Sequence, residues 1–189
     1  MKERLKNLYQ NGTLAPAKLL SAVSKRWLTV ADVVEIVGED NATEVVRNAK
    51  IAEISAACNA VIVAGVDIQL GEETEHFNLS IEDQSNIANL FRVVELGGTE
   101  FPYQADGGKC RIYTAQEIAQ IYIAAQTLIT AQTTYHNALK AYVQSLDDVE
   151  QISTAAYGMT LPEAFAAEMN SKLAVAQAQM EAIVARLNG

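Results

Sequence analysis

Residues 50–92 read KIAEISAACNAVIVAGVDIQLGEETEHFNLSIEDQSNIANLFR, and this stretch decides the fold. Ile51, Ile54, Cys58 and Val61 recur at helical spacing, so they are expected to form the buried face of a helix, with Gly65 at its stop. Val66, Ile68 and Leu70 then alternate, as do Phe77 and Leu79 after the polar loop Gly71-Glu72-Glu73-Thr74. That alternation predicts a short hairpin. Ser80 and Asp83 have the spacing of a capping box, in which the hydroxyl accepts from the Asp83 amide while the carboxylate reaches back. The helix they open carries Ile87, Leu90, Phe91 and Val94 on one stripe and ends at Gly97-Gly98.

Working outward toward the N-terminus, Asn41 and Glu44 could cap the helix that contains Lys50, and a boundary is expected near Glu39-Asp40. The residues before it read as three short helices. Arg4–Gln10 closes at Asn11-Gly12, Pro16 opens Ala17–Val23, and Thr29 with Asp32 caps a helix through Val33, Val34 and Ile36 that ends at Gly38. Toward the C-terminus, Phe101–Ala105 and Lys109–Tyr113 flank Asp106-Gly107-Gly108, a strong hairpin signal, and Pro102 marks its strand as an edge. Thr114 and Glu117 form another capping box, opening a helix expected to reach about Leu146. Its inner line is Ile118, Ile121, Ala125, Leu128, Gln132, Tyr135, Leu139, Tyr142 and Leu146, which alternates three and four residues apart. After Asp147-Asp148 a further turn is expected at Val149–Ile152, and Thr160, Pro162 and Glu163 begin a last helix. Ala166, Met169, Leu173, Ala176, Met180, Ile183 and Leu187 continue the same alternation to the end. The two long helices either fold back on each other or join copies across an oligomer axis.

The expected fold is therefore α+β and mostly helical, with small β-hairpins packed with long helices and a heptad-patterned C-terminal helix. It divides into a small helical docking segment at 1–39, an α+β domain at 40–152 and an oligomerising helix at 153–189.

Half of the 189 residues are hydrophobic and 20% are charged, the balance of a chain that folds around one ordinary core. The net charge is −9. Residues 1–50 carry eight Lys or Arg against six Asp or Glu, so the excess acid lies downstream. The asymmetry fits either plain solubility or an N-terminal piece that docks onto a different surface. An acidic body with no basic patch repels phosphate backbones, so nucleic acid is not an expected partner. The longest apolar run, Ala60–Ala64, is too short for a bilayer, and Met1-Lys2-Glu3-Arg4-Leu5 has no signal core, so neither a membrane partner nor secretion is expected. Cys58 and Cys110 read as free core thiols.

Little points to chemistry. His76 falls on the polar side of a strand and His136 beside Tyr135 in a long helix, neither at metal-ligand spacing from another His or Cys. The glycine pairs lack the pattern of a nucleotide-binding loop. Glu72-Glu73-Glu75 and Glu82-Asp83 read as solvated loop and helix-start charges, with an acidic pair of a glycan hydrolase as the rival reading. No catalytic, cofactor-binding or metal residues are expected. Trp27 reads either as the anchor of a small core or as a contact that a partner completes.

Two resemblances give these features a setting. Lys50-Ile51-Ala52-Glu53-Ile54, Ala56-Ala57-Cys58, Ala64-Gly65, Asp83-Gln84 and Asn86 resemble an uncharacterised domain family of bacteriophage tail and tail-fibre-region proteins. So do Ala105-Asp106-Gly107, Thr114-Ala115-Gln116-Glu117-Ile118, Leu139-Lys140-Ala141 and Asp148, and the resemblance covers about residues 48–152. Leu8-Tyr9, Asn11-Gly12, Leu19, Ala22-Val23, Trp27-Leu28-Thr29, Asp32 and Ile36 with Gly38 are similar to the short XkdX-type proteins encoded beside phage tail-fibre genes. The resemblances imply a non-enzymatic component of the baseplate, tail tip or fibre region that acts by protein binding, or a fibre-assembly chaperone absent from the finished particle. They imply synthesis in the bacterial cytoplasm and other tail or fibre proteins as partners, while the complete stripe of the last helix, outside both resemblances, points to a homo-oligomer, for which tail symmetry favours a trimer. Partner-binding positions are then Tyr9 and Trp27 in the N-terminal piece and Leu173, Met180, Ile183 and Leu187 on the last helix.

Overall fold

The computed structural model describes residues 1–187, apart from the side chains of Ser24 and Leu187. The helices are α1 (Lys2–Gln10), α2 (Pro16–Ser24), α3 (Val30–Val37), α4 (Glu39–Val63), α5 (Ile81–Glu95), α6 (Ala115–Ser145), α7 (Val149–Thr154) and α8 (Glu163–Leu187). Two antiparallel hairpins, β1 (Val66–Leu70) with β2 (Glu73–Phe77) and β3 (Glu100–Tyr103) with β4 (Arg111–Thr114), form separate two-stranded sheets. The protein is a mostly helical α+β fold. The chain divides into two compact units, residues 1–57 with 136–168 and residues 58–135 with 169–189.

In the first unit α1, α2 and α7 lie against α3. The Thr29–Asp32 box forms as its spacing predicts, the Asp32 amide donating to the Thr29 hydroxyl at 3.1 Å while the carboxylate accepts from the Thr29 amide at 2.8 Å. Lys2 bridges Asp32 and Glu35 and Lys6 reaches Glu35; hydrogen bonds from Lys2 and then from Thr29 hold the Asp32 carboxyl down at about 2. The core of this unit includes Leu19, Val33, Val46, Ile54, Leu139 and Ile152, each at most 1% exposed. Arg47 closes the C-terminal end of α6, its Nη2 donating to the Leu146 carbonyl at 2.6 Å.

Three expectations fail here. Asn41 and Glu44 form no cap, because Gly38 at φ +92° turns the chain so tightly that α4 already begins at Glu39 and Asn41 falls in its first turn. Trp27 is 54% exposed and anchors no core. The α2–α3 turn closes with the Trp27 and Leu28 amides both on the Ala22 carbonyl, and of these two adjacent side chains it is Leu28, 5% exposed, that takes the buried place. The last helix starts at Glu163, its first bond running from the Ala166 amide to the Pro162 carbonyl, so Thr160 lies outside it.

In the second unit the end of α4 buries Cys58 and Ile62, whereas Val61 is 38% exposed. With Ile54 these two stand four residues apart, and Val61 lies one position off that line. Gly65, at φ +83°, turns the chain into β1. The register pairs Leu70 with Glu73, leaving Gly71-Glu72 as a two-residue turn with glycine in the left-handed conformation at its first central position. The expected four-residue loop is thus half that length. The Ser80–Asp83 and Thr114–Glu117 boxes both form. In the second hairpin Tyr103 pairs with Arg111, so the connection spans Gln104–Cys110 and is longer than the Asp-Gly turn alone. Cys110 therefore precedes the ladder and is exposed, not a core thiol; Cys58 is buried, and both are free. Phe77, Tyr103 and Tyr113 meet with ring centroids 6.1–6.3 Å apart, and Phe91 stacks on Tyr122 at 4.1 Å. Burying a side chain of this size contributes about 1.5–3 kcal/mol, so these rings hold the hairpins and α5 in place.

Candidate functional site

In the second unit an apolar trough of about 610 Å³ lies between α6 and α8, lined by Ile123, Thr127 and Ala131 from one helix and Leu173, Met180 and Val184 from the other. A second hollow of about 370 Å³ shares Ile123 and Val184 and extends it past Ala119 toward Val94. The sequence makes the trough directly. Both helices follow the three-four alternation, so each presents one apolar line, yet no residue of Glu163–Arg186 on α8 is buried. Across α6, Gln126–Tyr135 likewise contains no buried residue, although Ile118, Ile121 and Ala125 just before it are 1% exposed. An isolated helix is marginal in water, and a line left half-covered over this length is the surface on which another protein gains most by packing.

The partner positions expected from sequence fall in both units. Leu173 and Met180 come together in the trough, half-buried. Ile183 is half-buried on the same helix, outside the lining. The side chain of Leu187 lies outside the described residues. Tyr9 is half-buried on α1, and Trp27 stands exposed in the α2–α3 turn with the Lys25 ammonium 5.1 Å from its ring centroid. The α6 wall of the trough was not singled out from sequence, though its uncharged run, with no Asp, Glu, Lys or Arg between Glu117 and Lys140, was there to be read.

Three polar clusters invite a chemical reading. Ser55 Oγ lies 2.9 Å from His136 Nε2, the distance of a nucleophile and its base. The hydroxyl donates its one proton to the Ile51 carbonyl at 2.7 Å, so the imidazole must donate to Ser55, the reverse of what a base does. The contact ties helix to helix. Around β2, Arg111 donates to Glu75 through Nε at 2.9 Å and Nη2 at 2.7 Å, Tyr113 donates to the other Glu75 oxygen, and Arg111 also reaches Glu117 at 2.9 Å. Burial would raise the Glu117 carboxyl, but hydrogen bonds from Thr114 and Arg111 outweigh it and hold it below the usual carboxylate range. The one guanidinium serves both carboxylates, so the set pins the two hairpins and the start of α6 together. Glu75 was expected to be solvated, but it shares the face of the buried Phe77 two residues on, and that period-two relation was the signal.

The third cluster is His76, whose Nδ1 lies 2.7 Å from Asp67 and Nε2 3.3 Å from Asn78. Asp106 joins it, its amide donating to the His76 carbonyl and its carboxylate accepting from the Asn78 amide at 2.5 Å. The hydrogen bond to Asp67 favours the imidazolium and raises the His76 pKa above its ordinary 6.5. The resulting stabilisation is fully present below about pH 6.5 and is lost as pH rises through the raised value. Asp67→Asn is expected to bring the His76 titration, followed by NMR of its ring protons, back down toward the ordinary imidazole range. An unmoved midpoint would contradict the assignment.

Asp83, half of the acidic pair with Glu82, accepts from the Ser80 amide and hydroxyl, so its carboxylate is engaged in the cap. Among the described residues no three His, Cys, Asp or Glu side chains are placed to hold a metal ion, and no helix is long and apolar enough to cross a membrane. No curated protein and no solved structure matches the chain. Residues 45–157, more than half of the chain, match the family described as Domain of unknown function (DUF4376), and the chain belongs to that family.

Proposed function

We propose that this chain is a non-enzymatic structural component of a phage or phage-derived tail, in the baseplate, tail-tip or fibre region, acting by protein–protein binding. The observation that carries the reading is the α6/α8 trough. A 25-residue helix with no buried residue through Arg186 is laid beside a helix that is itself half-covered, a surface built for another polypeptide. The two resemblances to tail-region proteins supply the setting, and the family match ends before α8, so one wall of the trough lies within the matched residues and the other beyond them. Its partners are other tail or fibre proteins and further copies of itself, a trimer being favoured by fibre symmetry. It is made in the host cytoplasm and carried in the virion tail.

A fibre-assembly chaperone is the second reading, favoured by the same uncovered apolar surface on an acidic chain, which could shield an unassembled fibre and then release it. Met180→Asp together with Ile183→Asp is expected to abolish incorporation of the chain into tail particles while leaving its far-UV circular dichroism unchanged. Normal incorporation of the double variant would contradict a structural role for this surface.

A further inference from the structure

Among the described residues the buried ones all lie at or before Leu161, so α8 supplies no buried side chain to either core. A helix that belongs to the core looks different: α5 sinks Ile87 and Phe91 to 2% and 5% exposure and stacks Phe91 on Tyr122. From Met169 onward α8 has Leu173, Ala176, Met180 and Ile183 half-buried and none deeper. The hollow it lines with Ile123, Thr127 and Ala131 leaves these side chains short of close packing with α6. At the far end Arg186 donates to Glu95 at 2.8 Å, the two side chains being 65% and 41% exposed. An ion pair so exposed holds weakly and is screened by salt.

We propose that α8, from Met169 onward, is a releasable strap laid beside the uncharged stretch of α6 and latched by Arg186 to Glu95, which lets go as one piece while the rest of the second unit stays folded. Closed, it stands over Ile123, Thr127 and Ala131; open, it bares them, so it sets when that face of α6 is available for packing. Letting go does not require melting, because 25 residues with eight alanines retain much of their helix without a neighbour. The strap follows from packing within the second unit and does not depend on which partner the chain binds.

The test is native-state hydrogen exchange of the full chain, read residue by residue by NMR. Amides from Leu173 to Val184 are expected to exchange at least about 100-fold faster than those of Ile87, Phe91 and Ile121, yet slower than an unstructured peptide. Glu95→Lys should speed the α8 amides about 1.5- to 5-fold and leave Ile87 and Ile121 unmoved, and Arg186→Glu added to it should restore the original rates. Amides of α8 that exchange only together with Ile121 overturn the proposal. Exchange of α8 at the rate of an unstructured peptide overturns it as well, since no closed form would then exist. A Glu95→Lys chain whose α8 amides are unmoved overturns the latch and the strap with it.

Discussion

Gly65→Ala is expected to destabilise the chain by about 3 kcal/mol or more, the largest effect of any single methyl group added to it. Gly65 has φ +83°, a conformation that costs an L-residue about 1–2 kcal/mol. A Cβ there would also lie 2.1 Å from the Phe77 carbonyl oxygen and 2.7 Å from Asn78 Cα. Both are backbone atoms, and neither can yield. Phe77 is 2% exposed and paired with Val66, and the Leu79 amide donates to the Val63 carbonyl at 3.3 Å on the other side of the crossing. The thermal midpoint should fall by roughly 6–12 °C for a chain of this size. Gly97→Ala separates the two causes, since Gly97 has φ +95° but nothing within 4 Å of its Cβ position. Its cost should be the conformational part alone, and equal midpoints for the two variants would contradict the close approach at Gly65.

Glu75→Ala is the second large effect, expected at about 2–3 kcal/mol. Tyr113 is 1% exposed, and its hydroxyl is pushed up to about 12 by burial and by the Glu75 carboxylate that accepts its proton. Without Glu75 that hydroxyl loses its acceptor, a penalty of about 1–3 kcal/mol. The Arg111 side chain is 37% exposed, keeps Glu117 and stays 3.6 Å over the Tyr113 ring, so losing its bond to Glu75 adds less than about 1 kcal/mol. The network predicts coupling. Tyr113→Phe made in the Glu75→Ala background should cost little further, giving a coupling of about 1 kcal/mol or more in urea unfolding. Strict additivity would show that the hydroxyl and the carboxylate do not share one bond.

What could be read from sequence was what short stretches decide by themselves. The boxes at Thr29–Asp32, Ser80–Asp83 and Thr114–Glu117 form because donor and acceptor sit three residues apart, and Gly65 and Gly71 sit where the backbone must enter the left-handed region. Asn41 and Glu44 had an equally good box, and it went unused because the preceding Gly38 started the helix earlier. Choices among neighbours were less legible. Trp27 against Leu28 and Val61 against Ile62 are single-residue rotations that local pattern cannot resolve, and the core chose the second of each. Contacts between distant residues were not legible. Ser55 with His136, and Arg47 with the end of α6, join residues with no local relation. The α8 stripe was plain in the spacing of Leu173, Ala176 and Met180, and α6 as its facing helix was one of two alternatives between which only the fold decides.

The central claim is membership of the tail particle, and quantitative mass spectrometry of purified tails tests it most directly, counting this chain against the major tail-tube protein. A fixed copy number, in a multiple of three or six if the chain follows tail symmetry, is the expected result. Abundance in the lysate with none in the particles would contradict it and make the assembly chaperone the reading to pursue.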